Sequence, residues 1–420
     1  MRSGSPEAGI VSFEEARHIV ERQAATVSPG QPETVDLLAA PGRVLAESIA
    51  ADRDFPPFPR ATRDGFAVRA QDVAEVPARL EVIGEIKAGD VVDDSLNVRQ
   101  DQAVSIMTGA PLPPGADAVV MVEYTSQTGS SVEIKRSVKS GENFVPRGAE
   151  AHQGQLLLDR GKRLDHAAIA IAASVGQSRL QVFRKPRIAV ISTGDEIVEI
   201  DKTPGPAQIR NSNTYSLAAQ IQNAGGEPVP LRIAPDERVR LRALIEGGLD
   251  SDLLLLAGGV SMGKYDLVEQ VLGELKAEFY FTGAQIQPGR PVVFGQCTQC
   301  RTRVSDPHQT YFFGLPGNPV STMVTFELFV RPMIQALTGS KPQPLIFLKA
   351  RLKSDVRTKT GLRRFLPAVL SGEFENAEVE LARWQGSGDV AALAGANCYL
   401  VVPPDREQIA AGELVSLLMR

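Results

Sequence analysis

Hydrophobic and polar positions along this chain keep two different periods in different stretches, and the changes of period divide it. Ser12 and Glu15 form an S-x-x-E capping box, and Ile19 and Val20 continue an apolar face, so a helix is expected that fades before Ser28-Pro29-Gly30. A second helical stretch is expected near Val35 to Leu45, interrupted by Pro41-Gly42. The run Asp54-Phe55-Pro56-Pro57-Phe58-Pro59 fixes φ and removes backbone donors, so it is extended and cannot be a central strand. Short strands and turns follow, at Leu80–Ile83, Ala103–Met107, Ala118–Val122 and Val132–Ile134. Helical patterning returns over 147–182, with Asp165 as a cap and Ala167–Ala173 as the body, and this segment is expected to pack beside the N-terminal helices.

From Arg187 the pattern becomes alternating strand and helix. Apolar strands are read at Arg187–Ile191, Val229–Ile233, Leu253–Leu256 and Tyr311–Phe313. Helices are read from a cap at Asn213, from Pro235-Asp236, from Asp266, and from Asn318-Pro319 to about Leu337. Such alternation implies a parallel sheet covered on both faces. Gly339 to Pro344 reads as a linker, and the remainder alternates apolar and polar residues as β structure does. The expected fold class is α/β multi-domain. Residues 1–50 and 147–182 form a helical N-terminal region and 51–146 an inserted β-rich domain; 183–338 form the parallel-sheet α/β domain and 339–420 a C-terminal β domain.

Composition narrows the function classes. A chain of 420 residues with 43% apolar and 23% charged residues is globular, and too long for one ordinary core. The formal charge of −5 argues against non-specific binding to nucleic acid or to an anionic membrane. No apolar run is long enough for a transmembrane helix, and the N-terminus lacks the apolar core of a signal peptide. Three cysteines argue against a disulfide framework, so a cytoplasmic setting is expected. Cys297-Thr298-Gln299-Cys300 supplies at most half of a zinc site and reads as a pair of reduced thiols on a hairpin insertion; the four histidines are scattered.

The candidate chemistry lies where α/β sheets bind ligands, beyond the carboxyl ends of the strands. Four such ends are Ser192–Glu196, Pro235-Asp236, Gly258–Gly263 and Leu315–Pro319. They are rich in Gly, Ser, Asn and acids; glycine admits close backbone approach, and a following helix start suits an oxyanion. Gly and Asn after strands are also ordinary turn chemistry, and no G-x-G-x-x-G or Walker lysine motif is present. Asp195, Glu196, Asp236 and Asp266 lie at these edges as candidate Mg²⁺ ligands, although Asp236 and Asp266 also suit helix caps.

A set of segments in order carries a resemblance. They are Pro56-Pro57-Phe58-Pro59 with Arg63-Asp64-Gly65-Phe66-Ala67-Val68, then Ile106-Met107-Thr108-Gly109-Ala110-Pro111, Gly115-Ala116-Asp117-Ala118-Val119-Val120, and Ser192-Thr193-Gly194-Asp195-Glu196. Ile209-Arg210-Asn211-Ser212-Asn213, Gly258-Gly259-Val260-Ser261, Pro288-Gly289-Arg290-Pro291 and Gly314-Leu315-Pro316-Gly317-Asn318-Pro319-Val320-Ser321 complete the series. The chain resembles the MoeA/gephyrin E-domain family, the molybdopterin molybdenumtransferases, over nearly its whole length. The resemblance implies an elongated homodimer that binds adenylylated molybdopterin, releases AMP in a Mg²⁺-dependent step and inserts molybdenum from molybdate. It implies the molybdopterin adenylyltransferase and apo-molybdoenzymes as protein partners.

The resemblance also suggests roles. Asp64 and Thr108 would be catalytic. Ser192, Thr193, Gly194, Gly258, Gly259, Ser261, Pro316, Gly317 and Asn318 would hold the substrate, with the four acids around the metal. Lys87, Arg147, Arg210 and Arg290 would attract molybdate or the pterin phosphate, and Ser387, in the loop Gly386–Asp389, would face the partner subunit's cleft. Three departures stand out: Pro59 where many members have an acid, Gln287 in place of a lysine, and Glu150 at the end of the Arg147 turn. The missing lysine at Gln287 motivates one rival reading, a pterin-binding scaffold without turnover; a second is the adenylyltransferase one step earlier, against which the extra β-rich and C-terminal domains count.

Overall fold

The computed structural model describes residues 9–259, 267–298, 309–341 and 343–420. At its centre, strand Arg187–Ser192 pairs in parallel with Glu227–Pro230 on one side and Leu253–Ala257 on the other, and Leu253–Ala257 pairs in parallel with Thr310–Leu315. Beyond these, Val293–Cys297 and Glu278–Phe281 extend the sheet in antiparallel sense. The expected purely parallel sheet is therefore mixed, with six strands. The period of two explains why both faces are covered. Ile188, Val190, Leu253 and Leu255 face one layer, with helices Asn213–Ala224 and Pro319–Thr325 and the helical turns that follow to Leu337. Ala189, Ile191, Leu254 and Leu256 face the other, against helices Arg238–Gly248 and Leu267–Glu274. Each fully buried leucine of this kind contributes about 1.5–3 kcal/mol.

The capping box at Ser12 forms as expected on its first side. Ser12 Oγ accepts from the Glu15 amide at 3.1 Å and opens helix Phe13–Ala24. Its buried stripe of Phe13, Ala16, Val20 and Ala24 packs on the α/β core, not beside 147–182. Periodicity marks an apolar stripe but does not name its partner. The second N-terminal helix is also replaced: Pro32–Asp36 is a strand paired with Arg179–Phe183, followed by a single tight turn at Leu37–Ala39. Pro41-Gly42 leaves too little length for a stable helix there. Asp165 does cap helix His166–Ser174, accepting from Ala168 N at 2.8 Å. This helix packs with Ala40, Leu45, Ile49 and Val182 in a separate small core.

Between these parts lies a six-stranded sheet in the order Ala118–Met121, Gly65–Val68, Gln102–Ile106, Ala78–Ile86, Ser131–Ile134, Thr125–Thr128. At the C-terminus, strands Phe347–Leu352, Arg363–Ser371, Glu378–Leu381, Cys398–Val402 and Leu414–Met419 close on one another as a barrel, which leaves no free edge among the five. Ile286–Gln287, from the α/β region, adds in parallel to Arg363-Arg364 and ties barrel to sheet. Gln287 is thus an exposed residue of a joining strand.

Among the described residues no helix is long and apolar enough to cross a membrane. Cys297 is disulfide-bonded, so the reduced thiol expected there is not observed, while Cys300 and His308 lie outside the described residues.

Candidate functional site

The carboxyl ends of the four parallel strands open into one cleft of about 430 Å³. Thr193, Gly194 and Glu196 follow the first strand, Asp236 the second, Gly258 and Gly259 the third, and Pro316, Gly317 and Asn318 the fourth. Arg210 and Asn213 line it from the segment before helix Asn213–Ala224, and Ile197 and Ile209 give it an apolar side. Four loops far apart in the chain meet because parallel strands all end on the same edge of the sheet.

The glycines at 258 and 259 are steric necessities. Both have positive φ, and a Cβ would lie 2.6 Å from the Thr193 carbonyl oxygen at 258 and 2.8 Å from its hydroxyl at 259. Beneath them Thr193 is only 3% exposed and its Oγ1 has no hydrogen-bond partner among the described residues; the Oδ1 of Asn213, 5% exposed, has none there either. Two of the five buried polar side-chain atoms without a partner among the described residues thus belong to residues lining this cleft, and each such group costs about 1–3 kcal/mol when left unpaired.

Other residues take different roles from those expected. Ser192 is fully buried and forms a network: its hydroxyl donates to Asn211 Oδ1 at 3.0 Å and lies 2.9 Å from Thr214 Oγ1. It supports the cleft wall and does not line it. Asn213 does not cap its helix: Ser212 holds the capping position without a side-chain bond, and Asn211 just before it accepts at Oδ1 from Thr214 N at 3.2 Å. The Asn318-Pro319 helix start is not open to an anion as expected, because Pro319 has no N–H and the Val320 amide donates to the Ser387 carbonyl at 3.0 Å. Ser387 therefore docks onto its own chain beside the cleft. Arg290 is exposed next to the cleft residue Pro291.

The expected four-acid metal cluster lies only in part within the described residues. Asp266 and Ser261 lie outside the described residues, and among the described residues no three His, Cys, Asp or Glu are gathered to hold a metal. Asp195 nevertheless bridges two strand ends, its Oδ1 accepting from Asp236 N at 3.1 Å. The Asp236 carboxyl is held above the ordinary carboxylate range, first by burial and then by repulsion from Asp195 and Glu196. An acid raised in this way favours folding only while protonated, and that contribution is lost as pH rises through its folded value. Asp236→Asn is therefore expected to raise the melting temperature at pH 7 slightly, since Asp236 is exposed and its charge is screened, and to give no gain near pH 3. Thermal melts at the two pH values check this; a lower melting temperature at pH 7 would contradict it.

A second constellation lies on the β-rich sheet. Asp64, just before strand Gly65–Val68, accepts from Thr108 N at 2.6 Å. This backbone bond, then the Thr108 hydroxyl, holds the Asp64 carboxyl below the ordinary range. Thr108 follows strand Gln102–Ile106, and Lys87 follows its parallel neighbour Ala78–Ile86, so the three share one sheet end. Lys87 Nζ is 3.4 Å from Glu85. None of the three lines the cleft of the same chain. Arg147 does not line it either; its Nε is committed to Asp54 at 2.8 Å, and Glu150 of the same turn pairs with Arg60 at 3.0 Å.

The sheet edge with its acids and unsatisfied atoms, flanked by a separate β-rich domain and a barrel, defines a multi-domain α/β enzyme with a cleft sized for a nucleotide-like ligand. Comparison with known proteins makes the class particular. Residues 11–176 match the MoeA N-terminal region (domain I and II), 189–336 a probable molybdopterin binding domain, and 349–419 the MoeA C-terminal region (domain IV). The molybdopterin molybdenumtransferase of Nostoc sp. is 36% identical over 92% of this chain and 88% of its own length, and that of Bacillus subtilis 35% over 93% and 90%. The crystal structure of the molybdopterin biosynthesis MoeA protein of Pyrococcus horikoshii OT3 superposes with a TM-score of 0.78 at 28% identity, covering 98% of this chain and all of that one. The chain belongs to the molybdopterin molybdenumtransferase (MoeA) family and is a transferase of molybdenum-cofactor biosynthesis.

Proposed function

We propose that the chain binds adenylylated molybdopterin in the cleft at the strand ends, releases AMP in a Mg²⁺-dependent step and inserts molybdenum from molybdate into the dithiolene. The observation that carries this reading is the convergence of Thr193, Gly258, Gly259, Asn213 and Gly317 on one cleft with two buried polar atoms left for a ligand. Thr193 and the glycine turn suit the phosphate end, and Ile197 and Ile209 offer apolar surface to a flat ring. Arg210 supplies positive charge at the rim and Arg290 beside it.

Asp195, Glu196 and Asp236 would offer a magnesium ion hard oxygen donors at the strand ends, and the repulsion that Asp195 and Glu196 exert on Asp236 is what a dication relieves. When bound, the ion neutralises charge developing on the phosphate oxygens. Asp195 and Asp236 would hold the ion at the sheet edge, and Thr193 would donate its hydroxyl proton toward the phosphate end.

Asp64, kept ionised by Thr108, acts on the substrate from the β-rich domain of the other subunit of a homodimer, since it does not line the cleft of its own chain. In this reading 51–146 supplies Asp64 and Thr108, 183–338 the cleft and 339–420 the barrel, in a cytoplasmic enzyme fed by an adenylyltransferase and emptied by apo-molybdoenzymes. Purified protein supplied with adenylylated molybdopterin, Mg²⁺ and molybdate is expected to release AMP, followed by chromatography. Binding without AMP release would replace this reading with the scaffold, and ATP-dependent formation of the adenylylated pterin would replace it with the adenylyltransferase.

A further inference from the structure

We infer that Asn213 is a specificity-determining residue that accepts a hydrogen bond from a neutral donor on the nucleotide half of the bound ligand, and so sets which way the ligand lies in the cleft. The inference rests on the reading above. Asn213 opens helix Asn213–Ala224 and lines the cleft with only 5% of its surface exposed. Its Nδ2 donates to the Gly317 carbonyl at 2.7 Å. A carbonyl only accepts, so this bond fixes the orientation of the amide and leaves Oδ1 as the other end. That oxygen is buried and unpartnered.

A buried amide oxygen can be satisfied only by an N–H or O–H. The oxygens of a phosphate-ester linkage between pterin and nucleotide, and of molybdate, carry no proton at neutral pH and present only acceptors, so they are not bound at Asn213. Thr193 differs: its orphan hydroxyl can turn its proton toward an anion. The cleft thus has a donor floor beneath the Gly258-Gly259 turn and an acceptor at Asn213, and a ligand with an anionic end and a neutral donor-bearing part is held in one sense only. The nucleotide half is the part that belongs at Asn213. The pterin dithiolene must remain reachable by molybdate from solvent, which a deeply buried acceptor does not allow, whereas the AMP half has no such need. Its candidate donors are the ribose hydroxyls and the exocyclic amine of the base.

Calorimetric titration separates the outcomes. Asn213→Leu and Asn213→Ala, each confirmed to melt cooperatively, are expected to weaken AMP binding about tenfold or more, as follows from leaving a buried group unpaired, and to leave inorganic pyrophosphate within about threefold. A merely structural role would move both probes together, and that result overturns the inference. So does unchanged AMP affinity, including the case in which only adenylylated molybdopterin is weakened, which would put the donor on the pterin half.

On the wild-type protein, 2′-deoxy-AMP and purine riboside 5′-monophosphate distinguish the sources. A loss of about tenfold for one of them names the hydroxyl or the amine, and that loss should vanish in the Asn213 variants. Equal affinity of the wild type for all three nucleotides overturns the inference even if neither variant folds. AMP release by a wild type that passes none of these tests would reject Asn213 alone, and failure to bind AMP or adenylylated molybdopterin at all would reject the proposed function with it.

Discussion

Asp64→Asn is expected to slow AMP release about 100-fold, the scale on which a positioned acid–base or charge-orienting group acts, while AMP affinity stays within about threefold of wild type. The second half follows from the role given to Asp64 in the reading above: it acts on the reacting end of the substrate from the other subunit, while AMP is held by the cleft residues Thr193, Gly258 and Gly259. The first half follows from how the carboxylate is held. Thr108 offers Asp64 a backbone N–H at 2.6 Å and its hydroxyl, both of which favour the charged form. An asparagine loses the charge and, with its NH₂ turned inward, would oppose the Thr108 donors.

A pH profile adds a second readout. A carboxyl lowered in the folded protein stays ionised to lower pH than an ordinary one, so the acid limb of kcat/KM, where Asp64 governs it, lies below the ordinary aspartate range. Thr108→Val removes the hydroxyl and keeps the amide, and should move that limb upward while preserving most of the rate. An Asp64→Asn enzyme that releases AMP at near wild-type rate would remove Asp64 from the mechanism.

Replacing the next residue should be still more damaging. Gly65→Ala places a Cβ on top of the Val120 carbonyl oxygen, with the carbonyl carbon at 2.9 Å and Met121 Cα at 3.0 Å. Both neighbours are backbone of the adjoining strand, paired with Gly65–Val68 through Gly65↔Met121 and Phe66↔Val120. Nothing flexible can give way, so the pairing must open. A loss of about 3 kcal/mol is expected, the upper end for forced overpacking, with the β-rich domain melting earlier than the rest. Because Asp64 immediately precedes this strand, AMP release should fall at least as far as in Asp64→Asn. Calorimetric scans with wild type and Gly65→Ala check the first expectation. A single melt at the wild-type temperature would show that the sheet accommodates a side chain at 65 and would undo the argument.

Much of the architecture was legible from local pattern. The strands at Leu253–Ala257 and Thr310–Leu315 declare themselves as unbroken apolar runs, and Asp165 and Ser12 are caps that read from three residues of context. The cleft was legible too, in that Thr193, Gly194, Glu196, Asp236, Gly258, Gly259 and Gly317 each follow a strand. Parallel strands deliver their ends to one edge whatever lies between them.

What local pattern left open concerns partners. Phe13, Ala16, Val20 and Ala24 mark a stripe, and only packing assigned it to the α/β core and not to the helix at His166–Ser174. Ser192 and Asn213 are short polar residues after or before regular elements, indistinguishable in type. Tertiary contacts buried Ser192 in a closed network with Asn211 and Thr214, and left the cleft residue Asn213 with a buried, unused oxygen.

By itself the sequence determined the parallel strands of the α/β region, the caps at Ser12 and Asp165, the sheet edge on which chemistry gathers and the family. Each of these depends on residues near one another in the chain, or on an ordered series of short segments. Only the tertiary structure decided which polar atoms are satisfied and that Asp64 with Thr108 stands apart from the cleft. It also decided that Ser387 occupies the Val320 amide. Hydrogen bonding and burial depend on groups brought together from distant positions, and the spacing of residues along a chain does not carry that information.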